Sequence, residues 1–396
     1  MEQRRLRSHS CLDRSFSQLG LDPVETTVPE SETVPANPIV VPFLNWRPVV
    51  GPSLKAQPEA RIIGRSQLGS DCFLDTCATI RGDGEHICIG DDCWFGEHAT
   101  VHIVHEQLPA RIGTGVTVGP WAVVHAAEIG DDAVIGGGAV VMDRAIVGRG
   151  TVLTRDAFVP PGKVLEGGLL YAGVPALPVR TLYPGELAKH RQRERWLDLD
   201  RKKHQGEKGR KPAAMTLPQD GPILLCDTVR IEGNIRLDAG VSLWFGTRIF
   251  NPRGRIEIGE RTNIQDNTVV LIDGESTLAI GRGVTVGHNA TLEVSRIMDG
   301  ALIGMGAHVT HGTVIEEHAC LAAGAVTSPN TVISRGMLWA GRPARPVRML
   351  TKDERSLFSR NADIYCNEYL GAYARTIAGR SESFSEWRMQ WATDQV

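Results

Sequence analysis

A six-residue repeat runs through two stretches of this chain and leaves few folds open to it. From Ile112 the sequence reads IGTGVT, VGPWAV, VHAAE, IGDDAV, IGGGAV, VMDRAI, and from Ile280 it reads IGRGVT, VGHNAT, LEVSR, IMDGAL, IGMGAH, VTHGTV. Each unit opens with an aliphatic residue, and each stretch contains one five-residue unit at the same point. Such a period predicts three flat strands per coil of a parallel β-helix, with the aliphatic residues pointing inward.

The two stretches are copies of one unit that are offset by 168 residues. The shared five-residue irregularity indicates duplication, and both copies end alike, in YAGVPALPVRTL and WAGRPARPVRML. A helix is expected after each ending. The predicted organisation is an N-terminal extension (1–58, partly disordered, with an apolar strap PIVVPFLNW), a first β-helix (59–184), a charged helix and flexible linker (185–222), a second β-helix (223–350) and a C-terminal helical segment (351–396).

Composition limits the class of protein. At 396 residues the chain is long enough for two domains with substantial cores. The net charge of −3 argues against a nucleic-acid partner. The sequence has no apolar run of about 18 residues, so no membrane span is predicted.

Cysteine usage and the N-terminus bear on location. Eight cysteines without a CxxC pair indicate buried thiols in a reducing compartment, so the cytoplasm is expected. The N-terminal MEQRRLRSHSCLDRS lacks the hydrophobic region of a secretory signal. Its arginines weakly resemble a transit peptide and leave organellar targeting open, although Glu2 and Asp13 count against it.

Short motifs in both copies carry a family resemblance. The second copy contains IGERTNIQDN (258–267), VTVGHNA (284–290) and the WAGRPARPVR ending, and the first contains RGD (81–83), ATVH (99–102) and AVVH (122–125). These motifs resemble those of the γ-class carbonic anhydrases over roughly 120 residues of each copy. The hexapeptide pattern is shared with acyltransferases, whereas the motif combination is more specific. The resemblance implies a mainly β fold of two left-handed parallel β-helix domains in tandem, each followed by an α-helix.

The resemblance also implies a metal site that is divided between the copies. In that family, β-helices pack side by side as a trimer, and three histidines hold a metal, usually zinc, between neighbours. The first copy keeps His102 and His125, the ligands from one neighbour, and the second keeps His288, the ligand from the other. One composite zinc site is therefore expected where the copies meet, and iron or cobalt also suit three histidines. The substituted positions are Pro120, Leu271 and Glu293.

The supporting residues of the family motifs are divided in the same way. Arg81 and Asp83 are kept in the first copy, and the second keeps Asn263, Gln265 and Asp266. By resemblance, Arg81 and Asp83 help to fix the interface, together with Asn263 and Asp266, and Gln265 lies near the bound water. This parallel division predicts a directed contact from the first copy to the second.

The resemblance implies reversible hydration of carbon dioxide to bicarbonate, the reaction of a carbonate dehydratase (a lyase). Three neutral imidazoles leave zinc an open position for water, whose pKa falls to about 7. Gln265 is a candidate to orient the nucleophile or product, and Glu85 and Glu106 are candidate general bases. Each imidazole should donate its other N–H to an acceptor that the sequence does not identify.

Other interpretations stay open from sequence alone. The histidines could be remnants in a noncatalytic scaffold or assembly subunit, and the shared β-helix is also compatible with a CoA-dependent acyltransferase or thioesterase. A homo-oligomer with β-helices packed side by side is expected, and the sequence does not say whether the copies meet within one chain or between chains. Rings of three that mix the copies would hold fewer than one metal per chain.

Overall fold

The fold was analysed in a computed structural model. It describes residues 39–201, 214–272, 274–293 and 295–377. The part of the N-terminal extension up to residue 38, where disorder is predicted, lies outside the described residues, as does the greater part of the predicted flexible linker.

The first β-helix consists of short strands that wind into a left-handed coil of three faces. Two short strands, β1 (Val40–Val41) and β2 (Val49–Val50), precede it and pair with its strand β4. Its strands are β3 (Lys55–Ala56), β4 (Arg61–Leu68), β5 (Phe73–Leu74), β6 (Thr79–Ile89), β7 (Trp94–Phe95), β8 (Thr100–His102), β9 (Ala110–Ile112), β10 (Thr117–Val118), β11 (Val123–His125), β12 (Glu128–Ile129), β13 (Val134–Ile135), β14 (Val140–Val141), β15 (Ile146–Val147), β16 (Val152–Leu153), β17 (Phe158–Val159), β18 (Val164–Leu165), β19 (Leu169–Ala172) and β20 (Leu177–Thr181).

The second β-helix repeats this arrangement. Its strands are β21 (Ala214–Thr216), β22 (Leu224–Leu225), β23 (Arg230–Leu237), β24 (Ser242–Leu243), β25 (Arg248–Ile258), β26 (Asn263–Ile264), β27 (Val269–Leu271), β28 (Thr277–Ile280), β29 (Thr285–Val286), β30 (Thr291–Leu292), β31 (Arg296–Ile297), β32 (Leu302–Ile303), β33 (His308–Val309), β34 (Val314–Ile315), β35 (Cys320–Leu321), β36 (Val332–Ile333), β37 (Met337–Gly341) and β38 (Ala344–Met349).

The six-residue period explains the strand pairing. Strands three apart in the chain stack in parallel, so Thr117 of β10 pairs with Trp94 of β7 and with Val134 of β13. The aliphatic residue that opens each unit points inward, and Val118 and Ile135 are fully buried in the core. Each coil covers the core of its neighbour, which is why the fold extends in one dimension.

The two β-helices lie side by side within one chain. Arg61 of the first forms an ion pair with Asp227 of the second at 2.7 Å, and Arg230 pairs with Glu59 at 2.6 Å. The backbone of Gly306 also lies close to the first β-helix, because a Cβ atom there would lie 2.7 Å from Cγ2 of the Val140 side chain. Gly306 has a φ of +62°, so glycine suits this corner on both counts.

Buried hydrogen bonds join the facing corners of the two β-helices. His98 Nδ1 lies 2.8 Å from the side-chain oxygen of Asn267, and Thr100 donates to Asn289 at 2.7 Å. The Asn289 amide also donates to the His98 carbonyl oxygen at 2.8 Å. Because these buried polar groups are partners for one another, they fix the register of the contact.

Each β-helix is followed by helical structure. Helix α1 (Glu186–Arg201) packs on the first β-helix, where Glu194 accepts hydrogen bonds from the Gly137 N–H and from Arg155. After the second β-helix come α2 (Lys352–Asp363), a π-helical turn (Ile364–Tyr369) and α3 (Leu370–Ile377). Among the described helices, none has the length and apolar character needed to cross a membrane.

The apolar strap packs against the C-terminal helix as well as against the first β-helix. Val40 and Val41 of β1 pair with Ile62 and Ile63 of β4. The ring of Phe43 lies 4.6 Å from the ring of Tyr373, centroid to centroid. The strap therefore connects the first β-helix to the C-terminal helical segment.

Candidate metal centre

Three histidine side chains from the two β-helices converge at one point. His102 ends β8 and His125 ends β11, and these residues are register partners on neighbouring strands. His288 lies in the turn after β29 of the second β-helix. His102 Nδ1 lies 3.3 Å from His125 Nε2 and 3.1 Å from His288 Nε2. All three side chains are buried, and the three nitrogens lie within 4.8 Å of one another.

The spacing of these nitrogens fits a tetrahedral metal ion. Zinc–nitrogen bonds of 2.0–2.1 Å at tetrahedral angles place neighbouring ligand atoms roughly 3.3 Å apart. The observed separations of 3.3 and 3.1 Å agree with this value. Three protein ligands also leave a fourth position open, as in catalytic zinc sites.

Each imidazole directs its other ring nitrogen to a carboxylate. The pairs are His102 Nε2 with Asp83 (3.0 Å), His125 Nδ1 with Asp143, and His288 Nδ1 with Asp266 (2.9 Å). A carboxylate in this place fixes the tautomer and the ring orientation of a metal-binding histidine. The converging nitrogens are therefore left with free lone pairs, and the arrangement fits a bound cation.

Arg81 links the carboxylates that hold His102 and His288. Its guanidinium forms ion pairs with Asp83 and, at 2.9 Å, with Asp266, and all three side chains are fully buried. The guanidinium also lies over the ring of Trp244 from the second β-helix, 4.4 Å from its centroid. The buried guanidinium of Arg81 thus links the Asp83 carboxylate of the first β-helix to the Asp266 carboxylate of the second.

The charges of the centre favour a divalent cation. The three carboxylates that contact the histidines, Asp83, Asp143 and Asp266, face one buried guanidinium, Arg81. Burial raises the pKa of Asp266, but Arg81 and His288 outweigh it, so that the pKa lies below its usual value and the group stays ionised. By formal charge, three carboxylates and one guanidinium sum to −2, which a divalent ion would neutralise.

His102 and His288 are held in the protonation state that binds metal. Burial, followed by the charge of Arg81, holds the pKa of His102 well below its usual value. Burial lowers the pKa of His288 to about 4, although its hydrogen bond to Asp266 acts in the opposite direction. Both imidazoles are therefore neutral near pH 7, as metal coordination requires.

The remaining predicted site residues, Gln265, Asn263, Glu85 and Glu106, make no hydrogen bond to the three converging histidines in the described structure. The buried Gln265 amide donates to Asn263 at 3.2 Å. Glu85 is half-buried and lies 2.7 Å from His86 Nδ1, and Glu106 is exposed in the turn that follows β8.

All three histidines belong to the same chain, so each chain carries one complete set. This replaces the sequence-based expectation of fewer than one metal per chain. That expectation assumed rings of three that mix the copies, whereas the two β-helices of one chain face each other directly and complete the set themselves.

Sequence reasoning missed Asp143 and the tyrosines of the C-terminal helical segment. Asp143 follows His125 by 18 residues, one more than the 17-residue coil offset that pairs Val124 with Val141. That spacing was available as a signal. Tyr365, Tyr369 and Tyr373 are spaced four residues apart, which places them on one helix face, but no local pattern shows what that face contacts.

Replacing Asp143 with asparagine is expected to weaken zinc binding about 10- to 100-fold while the fold is kept. The reason is that His125 would lose the carboxylate that orients its ring. Chelator competition on the purified variant measures the effect. Asp156→Asn, which changes an exposed carboxylate at another corner of the same β-helix, is the matched control. Equal zinc affinities in the two variants would contradict a role for Asp143.

The hexapeptide coils and the three converging histidines define the class of this protein. It is a hexapeptide-repeat β-helix protein with a candidate metal centre. The profile described as bacterial transferase hexapeptide (six repeats) matches residues 295–329. A carbonic anhydrase of Geobacillus kaustophilus is 38% identical over 33% of this chain and 71% of its own length. The chain belongs to the γ-class carbonic anhydrase family.

A plant relative agrees with this assignment over part of its length, and a solved structure shares the fold. Gamma carbonic anhydrase 2, mitochondrial, of Arabidopsis thaliana is 35% identical over 37% of this chain and 55% of its own length. The chain thus spans just over half the length of that plant relative. A solved structure from Desulfovibrio desulfuricans G20, assigned as an acetyltransferase, is 13% identical with a TM-score of 0.50. It covers 86% of this chain and 81% of its own and shows the fold alone.

Proposed function

We propose that this protein is a zinc-dependent carbonic anhydrase with one composite site per chain, and that it catalyses the reversible hydration of carbon dioxide to bicarbonate. The observation that carries the proposal is the convergence of three imidazole nitrogens, two from the first β-helix and one from the second. The carboxylate behind each imidazole and the relatives named carbonic anhydrase add support.

The chemistry of the proposal comes from the bound ion and its surroundings. A zinc ion bound by the three histidines would supply the chemistry by lowering the pKa of water from 15.7 to about 7, so that a nucleophile for carbon dioxide would be available near neutral pH. His102, His125 and His288 would hold the ion. Their carboxylate partners keep the donor nitrogens deprotonated and correctly turned.

The remaining proposed roles concern the substrate and the proton. Gln265 is proposed to orient the nucleophile or the product, and its burial and its bond to Asn263, which fixes the amide, support this role. Glu85 and Glu106 are proposed to accept the released proton. Their contact with solvent supports this role, because a proton acceptor must exchange with water.

The experiment is carbon dioxide hydration by the purified full chain before and after removal of metal with a chelator. We expect activity in the zinc-loaded protein, loss of activity after chelation, and recovery with one equivalent of zinc. Activity that is indifferent to chelation, or no activity in zinc-loaded protein, would reject the proposal and leave a scaffold. Acyl-CoA turnover by the same samples tests the transferase alternative.

Two further proposals concern assembly and location. We propose that chains associate further through side-by-side β-helices, because Phe250 and Leu271 occupy the positions of Arg81 and His102 in the second copy and are 46% and 43% exposed. A monomeric mass in sedimentation would reject this.

The cytoplasm remains the proposed location, with an organelle as the alternative suggested by the plant relatives' names. Imaging of the tagged chain separates the two.

A further inference from the structure

Three buried tyrosines project from the C-terminal helical segment toward the metal centre. Tyr365, Tyr369 and Tyr373 are spaced four residues apart and are at most 7% exposed. In a regular α-helix, residues four apart drift by about 40° around the axis. The wider π-helical turn that contains Tyr365 and Tyr369 offsets part of this drift, so all three hydroxyls reach the same neighbourhood.

Tyr373 contacts the carboxylate that orients a candidate ligand. Its hydroxyl donates to Asp83 Oδ2 at 2.9 Å, while the other oxygen, Oδ1, accepts from His102 Nε2 at 3.0 Å. Arg81 also binds Oδ2. Asp83 is almost fully buried, so these three donors determine the orientation of its carboxylate.

The ring of Tyr373 is fixed by packing from three parts of the chain. Its centroid lies 4.6 Å from that of Phe43, 4.9 Å from that of Trp244 and 6.0 Å from that of Phe245. Burial, together with the charge of Asp83, raises the pKa of Tyr373 well above its usual value. The hydroxyl therefore stays protonated and remains a hydrogen-bond donor.

The other two tyrosines differ from Tyr373 in what they touch. The Tyr365 hydroxyl accepts a hydrogen bond from Arg81 at 3.3 Å, and Arg81 is already held by two carboxylates. The Tyr369 hydroxyl lies 2.8 Å from His105 Nδ1, which is not among the three converging histidines. The same helix face thus offers one contact with an orienting carboxylate (Tyr373), one contact with Arg81 (Tyr365) and one matched control (Tyr369).

We propose that Tyr373 is a positioning residue of the metal centre, which holds the Asp83 carboxylate in the orientation that turns His102 Nδ1 toward the ion. This inference rests on the proposed metal-dependent function. Without the Tyr373 hydroxyl, Asp83 Oδ2 keeps only one of its two donors, Arg81. The carboxylate can then turn toward Arg81, because a buried carboxylate keeps its remaining partners. The hydrogen bond to His102 then weakens, and the donor nitrogen is held less firmly.

The test compares zinc dissociation constants of the wild type, Tyr373→Phe, Tyr365→Phe and Tyr369→Phe by competition with a chromogenic chelator. We expect zinc binding about 10-fold weaker in Tyr373→Phe, an intermediate effect in Tyr365→Phe and a change of less than about twofold in Tyr369→Phe. Equal weakening in Tyr373→Phe and Tyr369→Phe would indicate a general packing role and overturn the inference.

A double-mutant cycle with Asp83→Asn tests whether Tyr373 acts through Asp83. In the Asp83→Asn background, Tyr373→Phe should cause no further loss of zinc affinity, because the two changes act through one contact. An additive loss of zinc affinity would overturn the inference. Unchanged zinc affinity in Asp83→Asn alone would also overturn it, and that measurement does not require Tyr373→Phe to fold. A wild type that binds no zinc would instead reject the proposed function itself.

Discussion

Replacing His288 with alanine is expected to abolish tight zinc binding and carbon dioxide hydration. His288 is the single nitrogen donor that the second β-helix supplies, and its loss leaves two ligands for the ion. Loss of an outer partner of a ligand costs about 10- to 100-fold in affinity, so loss of the ligand itself should cost more than about 100-fold. Metal content after dialysis and the hydration rate measure the effect.

The matched control is His308→Ala, which removes a partly exposed histidine of the same β-helix. His308 is bonded to Glu293 and lies outside the converging set. Zinc content and activity should stay at the wild-type level in this variant. Zinc that is retained in His288→Ala would mean that the first β-helix binds metal by itself and would contradict a composite centre.

Replacing Arg81 with leucine is expected to lower the free energy of unfolding by about 3–5 kcal/mol. The guanidinium is fully buried between Asp83 and Asp266, so the variant would leave two buried carboxylates facing each other. Removing one partner of a buried ion pair is far more costly than losing the attraction alone. Urea denaturation of the metal-free proteins measures the change without a contribution from bound zinc.

The control for Arg81 is Arg149→Leu, which removes an exposed partner of Asp132. The Arg149 side chain is 75% exposed, so its loss should change the stability by less than about 1 kcal/mol. If Arg81→Leu were as mild as Arg149→Leu, the ion pairs with Asp83 and Asp266 would not hold the two β-helices together. The coupling described for the centre would then be wrong.

The fold could be predicted from the sequence because its signal is local and repeated. Each six-residue unit presents one inward aliphatic residue, and Val118 and Ile135 are buried as the period requires. The left-handed tandem architecture came from the family motifs and is confirmed. The packing of one β-helix on the other within a chain could not be predicted, because contacts such as Arg61 with Asp227 join residues 166 positions apart.

The candidate ligands could be identified from the motifs, but their surroundings could not. The resemblance pointed to His102, His125 and His288, and the structure brings these three residues together. The acceptors of their second ring nitrogens depend on coil stacking and on the contact between copies. Tyr373 lies 290 residues from Asp83 in the chain, and no sequence pattern relates the two.

The most direct test of the composite centre is a crystal structure of the zinc-loaded full chain with anomalous data collected at the zinc absorption edge. We predict one strong peak per chain, about 2 Å from His102 Nδ1, His125 Nε2 and His288 Nε2. A peak held by residues of one β-helix alone, or no peak between the two β-helices of zinc-loaded protein, would contradict the account.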